Sequence, residues 1–485
     1  MGTARITAGL VRLAHHQGTA LPGLAADRVW PGALAALAGQ LASTILVVGT
    51  NGKTTTAGLI AEIVGDADGR PIANRSGANM RQGIMSTLLA ASDLHGRLQR
   101  DGDRRRRAVF EVDEMALEQI LPELGPSIIV ATNLFRDQLD RYGEADAIVD
   151  RWSAALELAA ERSLLVHCAD DPRLAMLAAG SSLPTLTFGL AGPPGDRDQH
   201  VEAGSAIADP VACRTCGRQL EYAWRSIGHL GSLACPEGHV RRLAPDLAVE
   251  VLAAGSASEL GSRVGMAAGE GTTGAVAAQA PRAGFRLTGR QGSAVARPAL
   301  PGLTNAYNLA AAVSAGLAMG LDLERAAMAV DGYAGPFGRL EWMGIEGRNL
   351  VLILIKNTVS LAETVHLGPS LAPDVVLLGL NDAPADGRDV SWIWDAPIAE
   401  LVTGRAVVLT GTRAADLHLR LKYDADVTTA PPRSIDERMV LADGLDTAIA
   451  RTSSGGTILA AGTYTAMMGL RSIAERRGHA PRAPR

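Results

Sequence analysis

The chain is poor in sulfur, in aromatics and above all in lysine. Four cysteines among 485 residues make no disulfide framework. Aromatics are 4% of the chain, so its core must be built mainly from Ala, Leu, Val and Ile. The 46 basic residues include only three lysines, Lys53, Lys356 and Lys422, which leaves 43 arginines. Arginine supplies general basicity here, so each lysine is a candidate for a special task. No apolar run reaches the roughly 18 residues that a membrane helix needs. The N-terminal stretch MGTARITAGLVRLAHHQG lacks both a long apolar run and a cleavage site, so a cytoplasmic protein is expected. The net charge of −5 excludes a general polyanion binder. With 20% charged and 47% hydrophobic residues, a disordered or fibrous chain is excluded too. At roughly 150 residues per domain, the length corresponds to about three domains.

What is present alternates. Apolar strands are expected at 42–48, 108–112, 127–134 and 163–168, with Ala/Leu-rich helices between them, such as 147–160. Strands that are apolar on both faces imply a covered parallel sheet. Residues 191–211 read as a loop, 212–243 as a small Cys-bearing insert, and 247–300 as short β-like segments. A helix is expected over 305–320. A second α/β unit starts near 335, with strands at 351–355, 374–380, 405–411 and 455–462.

VVGTNGKTTT (47–56) follows a strand and opens a helix, the setting of a phosphate-binding loop. Gly49 and Gly52 let backbone amides approach phosphates, beside the intervening Asn51. Lys53 supplies a point charge, and Thr54 or Thr55 a hydroxyl for Mg²⁺. Glu111 ends the next strand, where a carboxylate points into the ligand crevice and can hold Mg²⁺. Asp113 and Glu114 follow it, and capping of the next helix is the competing role for at least one of them. Asn133 ends the following strand, and Asp137 or Gln138 beyond it is a candidate for metal or phosphate.

GTNGKTTT, the strand ending in Glu111, NLFRDQLDRYGE (133–144) and CADDP (168–172) resemble the central ATPase domain of the Mur ligases, the ATP-dependent amide ligases of peptidoglycan synthesis. NRSGANMRQGI (74–84), the Cys insert and DGRDVSWIWD (386–395) narrow the resemblance to the MurT-like synthetase subunits, over about residues 40–475. The implied fold is α/β: an N-terminal segment (1–40) packing on a Mur-ligase-like P-loop ATPase domain (41–334). That domain carries a zinc-ribbon-like insert (212–243), and a smaller C-terminal α/β domain (335–485) follows. The resemblance assigns Lys53 and Thr54 to the phosphate-loop pair and Glu111 to magnesium. Asn133 and Asp137 match its N-x-x-x-D segment, although Gln138 stands where many Mur ligases have His. Asn305 and Asn308 match asparagines on a helix facing the nucleotide, with helix capping and packing the competing role for Asn305. The carbamylated lysine of many Mur ligases has no counterpart between Lys53 and Lys356, so one firmly held Mg²⁺ is expected.

Cys213-x2-Cys216 and Cys235 have the spacing of two metal knuckles. The second knuckle reads CPEGH, with Gly238 where the resemblance implies a fourth Cys. His239 is then the expected fourth Zn²⁺ ligand and His229 the spare. Cys168 reads as a core thiol. The insert lacks a basic-aromatic stripe, so no nucleic-acid partner is expected. In the C-terminal unit, Phe337-Gly338-Arg339 opens the domain, and Arg339 is a candidate nucleotide or interdomain contact. Lys356 follows a buried strand and is a candidate for the γ-phosphate or an acyl phosphate. The resemblance implies that Asp395, or failing it Asp389, reaches a partner's active site across an interface, with turn capping as the competing role.

The resemblance implies ATP-dependent amidation of the D-glutamate α-carboxylate of lipid II to D-isoglutamine, through an acyl phosphate. Ammonia would come from a GatD-like glutaminase in a heterodimer, working at the inner membrane face with no transmembrane segment. The alternatives are an amino-acid-adding Mur- or folate-type ligase and an ATP-binding scaffold without chemistry.

Overall fold

The computed structural model describes residues 21–74, 78–93, 95–135, 145–159, 163–194, 210–252, 284–333, 335 and 339–479. Asp137, Gln138, Phe337 and Gly338 lie outside the described residues. The first eleven strands are β1 (Thr44–Val48), β2 (Ile72–Ala73), β3 (Ala108–Glu111), β4 (Ile128–Ala131), β5 (Leu164–Cys168), β6 (Thr185–Leu190), β7 (Glu221–Arg225), β8 (Gly231–Ala234), β9 (Leu247–Leu252), β10 (Gly284–Gly289) and β11 (Gly292–Ala296). Nine of them form one sheet in the order β11-β10-β9-β6-β5-β4-β1-β3-β2. The ladder is parallel from β2 to β9 and antiparallel from β9 to β11. Every residue of β1, β3 and β4 is buried, which explains their unbroken apolar sequences.

The strand order reverses at β1, which lies between β3 and β4. Open α/β sheets bind ligands at such a switch, outside the carboxyl ends of the strands. The phosphate loop leaves β1 there, Glu111 ends β3, and Asn133 follows β4. The helices Lys53–Asp68 and Leu303–Ala318 pack against each other beside these strands. Ala306 to Gly316 of the second helix are all buried, as a helix with no polar face requires.

A second sheet comprises β12 (Arg339–Ile345), β13 (Arg348–Leu354), β14 (Val375–Gly379), β15 (Ala406–Thr410), β16 (Ser434–Arg438) and β17 (Thr457–Gly462). Its order is β12-β13-β17-β14-β15-β16, parallel except for the β12–β13 hairpin. Two separate apolar clusters are built on this sheet, one containing Val376 and Val407 and the other Leu377 and Val408. Among the described residues no helix is long and apolar enough to cross a membrane.

β7 and β8 form a separate hairpin in the Cys insert. Asp170, at the end of β5, ties this insert to the main sheet. Its buried carboxylate accepts from Arg242 Nε at 2.6 Å, from Leu190 N at 3.0 Å and from the Tyr307 hydroxyl at 2.7 Å. Its carbonyl accepts from Gly231 N at 2.9 Å. Burial raises the carboxyl pKa above the ordinary value, against the pull of Arg242 and the hydrogen bonds. Asp170→Ala would remove a charged acceptor from the buried Tyr307 hydroxyl and from Arg242 Nε, leaving the tyrosine the Ser226 hydroxyl and the guanidinium the Leu190 carbonyl. The expected cost is about 2–5 kcal/mol, measurable by urea unfolding. A midpoint and slope equal to those of the wild type would contradict this role.

Candidate active site

The turn after β1 has no space for side chains at its two glycines. Gly49 has φ 134°, and a Cβ there would lie 2.1 Å from Thr132 Oγ1. Gly52 has φ 84°, and a Cβ there would lie 2.0 Å from Asn308 Oδ1. The segment after β4 braces the loop from below. Asn51 N donates to Asn133 Oδ1 at 2.8 Å, and Asn133 Nδ2 returns a bond to Asn51 O at 3.0 Å. Thr50 N donates to Asn133 O at 2.9 Å, and Phe135 N to Thr50 Oγ1 at 3.1 Å. Thr132 Oγ1 donates to Asn51 O at 2.9 Å.

Lys53 heads the helix after the loop and is 8% exposed. Its ammonium donates to the Gly49 carbonyl and lies 3.0 Å from Glu114 Oε1. Burial alone would lower its pKa, but Glu114, then Glu111 and Asp113, hold it above the ordinary value. Asp113 Oδ1 accepts from Met115 N at 3.0 Å in a local turn, whereas the N-cap of the next helix, Leu117–Leu124, is Ala116 and makes no side-chain cap bond, so the expected helix cap is not what holds Asp113. Glu114 instead pairs with the loop lysine, and its carbonyl is fixed by Trp152 Nε1 at 3.0 Å. Glu111 is buried at the end of β3, its backbone bonded in both directions to the Asn74 side chain at 2.9 and 2.8 Å. Asn79 Nδ2 lies 3.5 Å from Glu111 Oε1. Asn74 thus fixes the backbone of Glu111, and Asn79 approaches its carboxylate. Thr54 and Thr55 occupy the first turn of the helix.

The second sheet closes over the same loop. Lys356, just beyond β13, donates from Nζ to Thr50 O at 2.9 Å. Asn357, absent from the sequence-based candidates, donates from Nδ2 to Asn51 Oδ1 at 3.3 Å. Asn308 lies beneath Gly52, where its Oδ1 accepts from Thr56 Oγ1 at 3.3 Å and its Nδ2 donates to Asn305 Oδ1 at 3.2 Å. Asn305 Nδ2 donates to Pro301 O at 2.8 Å. These contacts make both asparagines supports of the loop, the packing role left open for Asn305. Arg339 begins β12, and its side chain lies outside the described residues, as does Asp137.

The insert brings Cys213, Cys216, Cys235 and His239 together, with their ligand atoms all within 4.8 Å of one another. Two similar knuckles produce this. Gly217 N bonds Cys213 O at 2.8 Å, and Gly238 N bonds Cys235 O at 2.8 Å, each glycine having positive φ. Gly238, at φ 78°, turns His239 toward the sulfurs. Desolvation opposes ionisation of Cys235, but the backbone N–H groups of His239 and Glu237 and the side chains of His239 and Cys216 bring its pKa down to about 6. His229, the spare ligand, is not near this cluster. It is fully buried, 3.4 Å from Asp171 Oδ2, because it sits at the base of the insert against the main sheet. Cys168 is a fully buried thiol whose pKa burial pushes well up.

Ser391–Trp394 forms a 3₁₀ turn. Ile393 is buried, and Arg420 donates to the carbonyls of Ile393 and Ala396 at 3.0 and 2.9 Å. Asp389 caps the turn by accepting from Ser391 N at 2.8 Å, a bond that lowers its pKa. Asp395 and Trp394 are exposed at the end of the turn.

Residues 47–228 match the Mur ligase middle domain, and residues 354–467 match the MurT ligase C-terminal domain. The chain is 29% identical over 422 residues to the lipid II isoglutaminyl synthase (glutamine-hydrolyzing) subunit MurT of Staphylococcus aureus, covering 86% of each chain. It is 29% identical over 461 residues to the same subunit of Streptococcus pneumoniae, covering 94% of this chain and 92% of that one. Among solved structures it resembles a pseudomurein peptide ligase type C from Methanothermus fervidus, with TM-score 0.62, 16% identity and coverage of 90% and 79%. The fold and the loop at its switch point are those of a Mur-ligase-type enzyme. Within that class, the chain belongs to the MurT family.

Gly52→Ala is expected to weaken nucleotide binding at least about tenfold, because its Cβ must displace Asn308 and its φ is strained. Isothermal titration with an ATP analogue checks this; unaltered affinity would contradict the tight loop described here.

Proposed function

We propose that this chain is the synthetase subunit of a two-subunit amidating enzyme. The γ-phosphate of ATP passes to the α-carboxylate of D-glutamate in the stem peptide of lipid II, giving an acyl phosphate and ADP. Ammonia attacks the acyl carbon, phosphate leaves, and D-isoglutamine results. The observation that carries this reading is the reach of Lys356, from the unit matching the MurT C-terminal domain, to the phosphate loop of the Mur-type unit. One cleft between two sheets can then hold the phosphate donor on one wall and the acceptor on the other.

In this reading Lys53 neutralises the transferring phosphate, and Lys356 approaches it from the facing wall. Gly49, Asn51, Gly52, Thr54 and Thr55 form the phosphate cradle. Asn133, Asp137 and Arg339 complete the nucleotide site, with Asn305 and Asn308 behind it. Thr54 and Glu111 would hold Mg²⁺, a buried carboxylate and a loop hydroxyl being hard oxygen ligands suited to it. When bound, the ion supplies charge that stabilises the leaving diphosphate. Glu114, which pairs with Lys53 here, must yield as phosphate arrives. The domain limits that fit this division are 41–334 and 335–485, with 212–243 as the insert and 1–40 packing on the first unit. The protein works in the cytoplasm, peripheral at the membrane while lipid II is bound.

Three of the four cysteines converge with His239 and the fourth is buried, so the glutamine-hydrolysing nucleophile falls to a GatD-type partner. We assign Zn²⁺ to the Cys213, Cys216, Cys235 and His239 cluster, because three soft sulfurs and an imidazole on two knuckles suit it. The function is tested by product analysis with ATP, lipid II and either ammonia or amino acids. D-isoglutamine formed with ammonia is expected; an added amino acid would shift the reading to a Mur- or folate-type ligase.

Protein purified without added zinc should carry one zinc per chain, measured by mass spectrometry of metals, and His239→Ala should lower its retention. A content near zero in the wild type refutes the site.

Asp395→Asn should keep amidation with free ammonia yet lose most glutamine-driven activity, at least about tenfold, through a misoriented histidine in the partner. Equal loss with both nitrogen sources would assign Asp395 to the synthetase reaction instead.

A further inference from the structure

The inner loop of the Cys insert reaches the phosphate loop in two steps. His229 lies between β7 and β8, with no exposed surface. Its ring nitrogens lie 3.4 Å from Asp171 Oδ2 and 3.2 Å from Arg173 Nη1. Arg173 Nη1 is nearly equidistant from the two ring nitrogens, 3.4 Å from Nε2 as well, so the guanidinium faces the imidazole as a whole while Nε2 stays beside the carboxylate. The imidazole also packs on Phe135, with ring centroids 4.7 Å apart at 54°.

Asp171 and Arg173 are themselves committed to the backbone of the segment after β4. Asp171 Oδ2 accepts from Leu134 N at 2.7 Å, and Arg173 Nη1 donates to Leu134 O at 3.0 Å. Leu134 is thus gripped at both polar atoms, between Asn133, which pairs with Asn51, and Phe135, which pairs with Thr50. His229 closes this grip from behind. It fills the space against Phe135 and fixes the two side chains that hold Leu134.

We infer that His229 is a positioning residue for nucleotide binding: through Asp171, Arg173 and Phe135 it sets the height of the 133–135 segment on which Thr50 and Asn51 rest. The insert is then a brace of the nucleotide site. This rests on the nucleotide reading of the phosphate loop given above. A displacement of this segment moves the loop amides and carbonyls together, so the loss should fall on ATP and spare the other substrates.

The test uses the complete chain with its glutaminase partner. His229→Ala, His229→Gln and Phe135→Leu are compared with the wild type for ATP-analogue affinity, for KM of ATP and lipid II, and for bound metal. The Ala variant should weaken analogue binding and raise KM for ATP about tenfold, with KM for lipid II and metal content unchanged. Gln, which can both donate and accept, should recover most of the loss. If the Ala variant does not fold, Phe135→Leu carries the test, and wild-type analogue affinity in that variant overturns the inference. Parallel rises in both KM values, or no change in either, overturn it as well. Failure of the wild type itself to bind the analogue would overturn the nucleotide reading, a result distinct from wild-type binding with unaltered variants.

Discussion

The phosphate loop has no side-chain volume to spare, and the rest of the site is arranged around that constraint. Thr132 and Asn308 occupy the places where Cβ atoms of Gly49 and Gly52 would be. The loop can therefore pack directly on β4's outgoing segment and on the helix Leu303–Ala318. Parts far apart in sequence meet there because β1 is the strand at which the sheet changes direction. Thr56 and Asn308 are 252 positions apart, and Lys356 and Thr50 are 306 apart, yet both pairs are hydrogen-bonded.

Charge is concentrated at the same place. Glu111, Asp113 and Glu114 are all under 9% exposed, around a lysine that is itself buried. Carboxylates at this depth need a cation, and Lys53 serves them in the free protein. An incoming polyphosphate with its metal ion must replace that pairing on both sides: phosphate for the lysine, metal for the carboxylates. The lysine is thereby kept charged, and the carboxylates around it are kept oriented, before ligand arrives.

The sequence made legible those parts of the fold that depend on composition alone. Strands buried on both faces, such as ILVV in β1 and VVLLG in β14, stand out as apolar runs. β16 did not, because SIDER is a polar edge strand recognisable only by its pairing with β15. The glycine, lysine and carboxylate of the loop were visible in their strand-loop-helix setting. Glu114 was open to two readings, since a carboxylate after a strand can cap a helix or meet a cation, and only the fold brings Lys53 to it. His229 stood as the spare zinc ligand only because it lies close in sequence to the cysteines. The β7–β8 hairpin directs it away from them, toward Asp171. Asn357 gave no signal beyond its place after a buried strand, its partner Asn51 lying in the distant phosphate loop.

The scarcity of lysine has a practical consequence for following this molecule. Lys422 lies on an exposed helix surface, whereas Lys53 is enclosed by its carboxylates and Lys356 spans the two sheets. Reagents that acylate primary amines sample the whole surface of most proteins. On this chain they have three side-chain targets, two of them at the cleft. The reactivity of Lys356 relative to Lys422 becomes an internal gauge of how often the two halves part, with the exposed residue as its reference.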